Sequence, residues 1–300
     1  MISAFVLLCV CLALGLLVTR VAAVPPGTPA AINFWVLNVA LPALVLVQVS
    51  RLQFDASLLF PALAPWLVIV GAALIFPWLG RRGGWSKGTV GALVLSCGLG
   101  NTAFMGLPMI EALRGEPALG AAIIADQLGS FLALSTAGIA LAAHYSGRST
   151  HPTELLRKVV MFPAFIALVV AILVRVAGGW PAWCVSVLAR LGDTLTPLAL
   201  FSVGLQFRFG HVAAQTPRIA AGLTWKLVLA PLLVCAAARV MAMGNLSTTV
   251  AVLQCAMAPM ISAGILAEQH DLDPPLANTV VSVGIVLSLL SVPLWNAALG

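Results

Sequence analysis

Charge is the scarcest property of this sequence. Asp, Glu, Lys and Arg make up only 8% of its 300 residues, against roughly a quarter in soluble domains. That shortage excludes an ordinary water-soluble globule. A nucleic-acid partner is excluded too. The net charge of +6 comes from Lys and Arg scattered between apolar runs, with no basic stretch interleaved with aromatics. Catalytic and metal-binding spacings are also missing. His144, His151, His211 and His270 fall at the ends of apolar runs or between them, and no HExxH pair occurs. There is no Gly-x-Ser-x-Gly turn. The six Cys lie in apolar runs without a CxxC pair. No metal, no cofactor and no enzymatic activity is therefore expected.

What the sequence has is apolar length. Hydrophobic types reach 61% and the mean hydropathy is +1.09. A spanning helix needs about 20 mostly apolar residues. Ten runs of that kind are read, at 2–19, 31–50, 58–79, 88–113, 118–143, 159–177, 183–205, 219–241, 247–268 and 275–297. The first has no basic residue before it and is too long for a signal-peptide core, so it is read as a membrane span. Pro25-Pro26-Gly27, Arg81-Arg82-Gly83-Gly84 and Gly178-Gly179 punctuate the runs. The expected fold is an all-α integral membrane protein embedded in the lipid bilayer.

Basic residues orient it. With the N-terminus outside, the inner connections carry nine (Arg20, Arg81, Arg82, Lys87, Arg148, Arg157, Lys158, Arg208, Arg218). The outer connections carry four (Arg51, Arg114, Arg175, Arg239). Positive residues favour the cytoplasmic side, which predicts both termini outside and the polar stretch 144–158 inside.

The halves repeat. Asn38-Val-Ala-Leu-Pro42 corresponds to Asp193-Thr-Leu-Thr-Pro197, each followed by a Gln-Phe pair, Gln53-Phe54 and Gln206-Phe207. Glu111, Pro117 and Leu119 correspond to Glu268, Pro274 and Leu276. Five spans per half is an odd number, so the second half is inverted relative to the first. The expected organisation is a five-helix repeat at 1–147, a cytoplasmic loop at 148–158 and an inverted five-helix repeat at 159–300. Inverted repeats place a transport site near the midplane where they meet.

Two spans look broken. The fourth holds Gly98-Leu-Gly100-Asn101-Thr102-Ala-Phe-Met-Gly106-Leu-Pro108, and the ninth holds Ala258-Pro259-Met-Ile-Ser262-Ala-Gly264. Irregular backbone at membrane depth is tolerated only where protein or a water cavity satisfies it. A broken helix offers free N–H groups and the positive end of its dipole, which suits an anion. Asn101 and Thr102 are expected to cap the break or bind a carboxylate, with Gly106, Pro108, Pro259, Ser262 and Asn38 completing the candidate site. Four ionisable groups look intramembrane: Asp126, Arg190, Asp193 and Lys226. Such groups usually serve a function. Arg190 and Asp193 are spaced to pair on one helix face. Asp126, Asp193 and Lys226 are the candidates for coupling or charge balance. If Asp126 couples protons, Asp126→Asn should lose the pH dependence of uptake; an unchanged pH profile in liposomes would remove that role.

These motifs resemble a known family. Asn101-Thr-Ala-Phe-Met-Gly106-Leu-Pro108 resembles the N-T-x-x-x-G-x-P signature of the auxin efflux carriers, in the bile acid/auxin transporter superfamily. Pro197-Leu-Ala-Leu-Phe-Ser-Val-Gly204 resembles their P-L-A-L-F-x-x-G segment. Ala258-Pro259 through Ile265-Leu-Ala267-Glu, with Val292-Pro293-Leu-Trp295, resembles their C-terminal pattern. The long central loop of many plant members is missing, which points to the compact bacterial type. The resemblance implies that broken helices 4 and 9 cross. It implies a scaffold of helices 1, 2, 6 and 7 and a mobile transport unit of helices 3–5 and 8–10. It implies a secondary transporter in the inner membrane, with a small organic anion as partner: an auxin-like molecule, or a dicarboxylate such as malate or malonate. Proton coupling is expected ahead of sodium, and a homodimer is compatible with the pattern. The alternatives are a sodium-coupled bile-acid-type symporter and a non-transporting receptor or structural protein.

Overall fold

In the computed structural model the described residues are 2–52, 55–147, 157, 159–206 and 215–300. Most of the expected loop at 148–158, and the segment 207–214 with His211, fall outside them. The described residues are mostly helical and contain no strand, apart from one isolated antiparallel bridge between Gly100 and Pro259. We label the helices in chain order: α1 Ile2–Val21, α2 Thr28–Arg51, α3 Ala56–Gly83, α4 Lys87–Gly98, α5 Leu107–Arg114, α6 Glu116–Ser146, α7 Pro163–Val176, α8 Ala182–Leu205, α9 Thr216–Val240, α10 Leu246–Cys255, α11 Ile261–Gln269 and α12 Pro274–Ala298. Six of them, α2, α3, α6, α8, α9 and α12, are long and apolar enough to cross a membrane. Shorter apolar helices lie at α1, α7 and α10. The runs expected at 88–113 and 247–268 are each divided, into α4 with α5 and into α10 with α11.

The chain forms two compact units. The first comprises Met1–Asp55, Ala103–Ile123 and Lys158–Phe207; the second comprises Ala56–Thr102, Ile124–Arg157 and Arg208–Gly300. In the first unit, α2 is covered on two sides. Leu41, Ala43, Val45, Val47 and Val49 are all buried, an alternation that one helical face cannot supply. α7 packs on one side and the first half of α8 on the other. Trp180 Nε1 donates to the Leu46 carbonyl at 3.1 Å, and Ser202 Oγ donates to Asn33 Oδ1 at 2.6 Å. α1 lies against the second half of α8, where Gly15 meets Gly204. A Cβ at Gly15 would strike the Phe201 carbonyl, and one at Gly204 would strike that of Leu12. Small residues of this kind let membrane helices approach closely.

In the second unit, every residue of α4 from Thr89 to Gly98 is buried, as is α10 from Val250 to Cys255. Helices buried all round belong in an interior. These two half-helices are the centre of the unit, with α3, α9 and α12 around them. Both have capped starts: Ser86 Oγ accepts from Thr89 N–H at 3.1 Å, and Asn245 Oδ1 accepts from Thr248 N–H at 2.9 Å.

Several helices contain π turns, at Val36–Ala40, Ala125–Phe131, Leu134–Gly138 and Trp225–Leu229, and another, Thr102–Gly106, leads into α5. Three share one cause. Pro42, Pro108 and Pro231 each follow the end of a π turn by two residues. Proline has no N–H for the carbonyl four residues back, and its ring crowds that carbonyl. Widening the preceding turn relieves the clash.

Candidate functional site

The site is built where the two broken helices meet. α4 ends at Gly98, and Leu99 is extended, with φ −118° and ψ 142°. α10 ends at Cys255, and Met260 is extended before α11 begins, with φ −75° and ψ 124°. The extended pieces run antiparallel. Asn101 N–H donates to the Ala258 carbonyl at 2.9 Å, and Met260 N–H donates to the Leu99 carbonyl at 3.1 Å. Gly100 and Pro259 face each other between these bonds. In an antiparallel ladder this is a non-hydrogen-bonded pair, which requires no N–H from either residue. Pro259 therefore sits where its missing donor costs nothing, and it keeps Ala258 extended. Its ring fits against Gly284 of α12, where a Cβ would collide with Pro259 Cδ.

Polar side chains collect around this crossing. Asn101 is 2% exposed, and its Nδ2 has no hydrogen-bond partner. Thr102 Oγ1 donates to Asp126 Oδ1 at 2.5 Å, and Gln127 Nε2 donates to Asp126 Oδ2 at 2.7 Å. Asp126, 3% exposed, thus accepts one bond on each oxygen. Gln254 Nε2 reaches the Thr102 carbonyl at 3.4 Å. Lys226, 1% exposed, donates from Nζ to the Cys255 carbonyl at 2.9 Å. A cation at a helix C-terminus opposes the negative end of the dipole. The fit is tight, since a Cβ on Gly100 would come within 3.0 Å of Nζ. Asp126 and Lys226 form no ion pair with each other.

The crossing also presents donors. The first N–H groups of α11 have no intrahelical acceptors, as in any helix, and no side chain caps them. Ser262 stands in its first turn, half-buried. One carboxylate, one ammonium, an uncapped helix start and a buried amide without a partner therefore share one apolar centre.

Gly106, Pro108, Asn38 and Asp193 belong to the first unit. Pro108 and Asp193 line a cavity of about 310 Å³ with Glu111, Thr196 and Pro197. Thr196 Oγ1 donates to Glu111 Oε2 at 3.3 Å. Two carboxylates and, among the described residues, no basic side chain face that cavity. Asn38 donates to the Phe34 carbonyl of its own helix at 2.8 Å. Arg190 and Asp193, spaced to pair, do not form an ion pair. All six Cys are free. Among the described residues no group of three His, Cys, Asp or Glu is placed to hold a metal. Gln127 and Gln254 escaped the reading of the sequence, although an amide inside an apolar run is itself a signal of interior contact.

The sequence matches the family described as "Membrane transport protein" over residues 1–296. Over 273 residues it is 27% identical to an uncharacterized transporter of Methanothermobacter thermautotrophicus, covering 89% of this chain and 88% of that protein. Over 217 residues it is 24% identical to an uncharacterized transporter of Methanocaldococcus jannaschii, covering 69% and 68% respectively.

Proposed function

Since this chain belongs to the auxin efflux carrier family of membrane transport proteins, a family of multi-pass membrane transporters, we propose that it carries a small organic anion by alternating access. The observation that carries the reading is the crossing in the second unit. There an uncapped helix start lies beside a buried amide donor without a partner. Both offer hydrogen to a negatively charged group.

In this reading Asn101 Nδ2, the amides opening α11 and Ser262 hold the carboxylate. Thr102 orients Asp126, which carries the coupling proton in preference to sodium. Lys226 balances the added negative charge. Pro259, Gly106 and Pro108 keep the backbone irregular where the helices break. Of the ten expected spans, the first, second, sixth and seventh, with Asn38 and Asp193, serve as scaffold, and the third to fifth and eighth to tenth form the mobile transport unit. The protein works in the inner membrane with both termini outside, and its halves are inverted repeats.

A thermal-shift screen of the purified protein tests the substrate class. Malate, malonate and indole-3-acetate are the probes, with choline and a neutral amino acid as controls. A ligand of the folded state at a hundred times its Kd adds about 2.7 kcal/mol, a shift of several degrees for a chain of this size. The expected result is a shift with at least one carboxylate. Shifts confined to the cationic or neutral controls would overturn the anion reading.

A further inference from the structure

Pro231 withholds the N–H that an α-helix would deliver to the Leu227 carbonyl. The helix answers with the π turn Trp225–Leu229, in which Ala230 N–H reaches back to the Trp225 carbonyl. The Leu227 carbonyl is not left bare. Trp295, in the last turn of α12, donates to it from Nε1 at 2.9 Å. The turn also has a rotational effect. A π turn holds about one residue more than an α turn, so the helix before it is rotated by about 100° relative to the helix after it. Lys226 lies inside this turn, and its Nζ lands on the broken end of α10. Next to it, the Trp225 ring packs edge-on to Phe76 with centroids 6.4 Å apart. It fills the space above Gly71, where a Cβ would come within 2.5 Å of the ring.

We propose that Pro231 and Trp295 are positioning residues for Lys226. Proline opens the π turn, the indole satisfies the carbonyl that the proline strands, and together they hold the amine at the helix crossing. Its bearing on transport rests on the site reading above, but the placement can be tested apart from it.

The test acylates the purified protein with acetic anhydride and follows Lys226 by mass spectrometry, with exposed Lys87 as internal reference. Trp295→Phe removes the donor and keeps a ring. It should lower the melting temperature and speed Lys226 acylation about tenfold, the scale of leaving one buried carbonyl unsatisfied. Adding Pro231→Ala returns an N–H to the Leu227 carbonyl. The double variant should regain part of the melting temperature while Lys226 stays fast, because the turn has closed to α. Pro231→Ala alone should also expose Lys226, with a smaller loss of melting temperature than Trp295→Phe, since it leaves no carbonyl unsatisfied while the closed turn shifts the packing of Trp225. Lys226 protection that follows melting temperature across these proteins would overturn the proposal, as would a Trp295→Phe protein with Lys226 still slow. If Lys226→Met takes up substrate normally, the transport role of Lys226 fails while this placement test stands.

Discussion

Asn101→Ala should reduce carboxylate uptake in liposomes by about a hundredfold and leave the protein folded. Hydrogen bonds to charged groups contribute about 1.5–3 kcal/mol, and the upper end of that range is about a hundredfold. Two facts separate this outcome from simple damage. The Asn101 amide Nδ2 has no internal partner, so truncation breaks no protein–protein bond from it. The backbone bond from Asn101 to Ala258, which forms the crossing, is kept in the alanine variant. The melting temperature should therefore move by only a few degrees. Uptake at the wild-type rate would remove Asn101 from the site.

Lys226→Met should have a comparable effect on uptake for a different reason. The substitution keeps all but the last atom of the side chain's length and removes an ammonium that is 1% exposed. Burying a charge is costly even when it is hydrogen-bonded. The acceptor at Nζ, the Cys255 carbonyl, is neutral, so losing it costs only the ~1–3 kcal/mol of an unsatisfied group. Stability should be kept or raised. Transport should still fall by about a hundredfold, the scale of losing a desolvated charge contact of about 3 kcal/mol. Purified protein would be compared by thermal melt and by uptake of malonate. Parallel loss of stability and uptake would mark Lys226 as structural only.

Much of this was legible in residues taken alone. The shortage of charge and the long apolar runs require a membrane protein. The Gly, Asn and Pro of 98–108 and the Pro259 segment break helices through their backbone chemistry, and the helices stop there. Asp126 and Lys226 stood out because ionisable groups are rare at such depth, and both are buried at the crossing. Other features depend on partners distant in sequence. Nothing local in Asn101 indicates that its N–H bonds to Ala258, or that Pro259 faces Gly100 where no donor is needed. The i, i+3 spacing of Arg190 and Asp193 suggested a pair. The helix instead leaves both exposed, with Asp193 at a cavity beside Glu111. The π turns were half legible: each of three precedes a proline at one fixed distance, but the turn containing Asp126 has no proline to announce it. Gln127 and Gln254 were overlooked because an uncharged amide stands out less than a charge.

In the proposed function an anion binds at the crossing of α4 and α10 in the second unit. The most direct measurement is the thermal shift produced by the best carboxylate from the screen, taken side by side on the wild-type protein and on Asn101→Ala. The expected result is a shift of several degrees in the wild type and of about one degree or less in the variant at the same concentration. A shift of equal size in both proteins would place the bound anion elsewhere and contradict it.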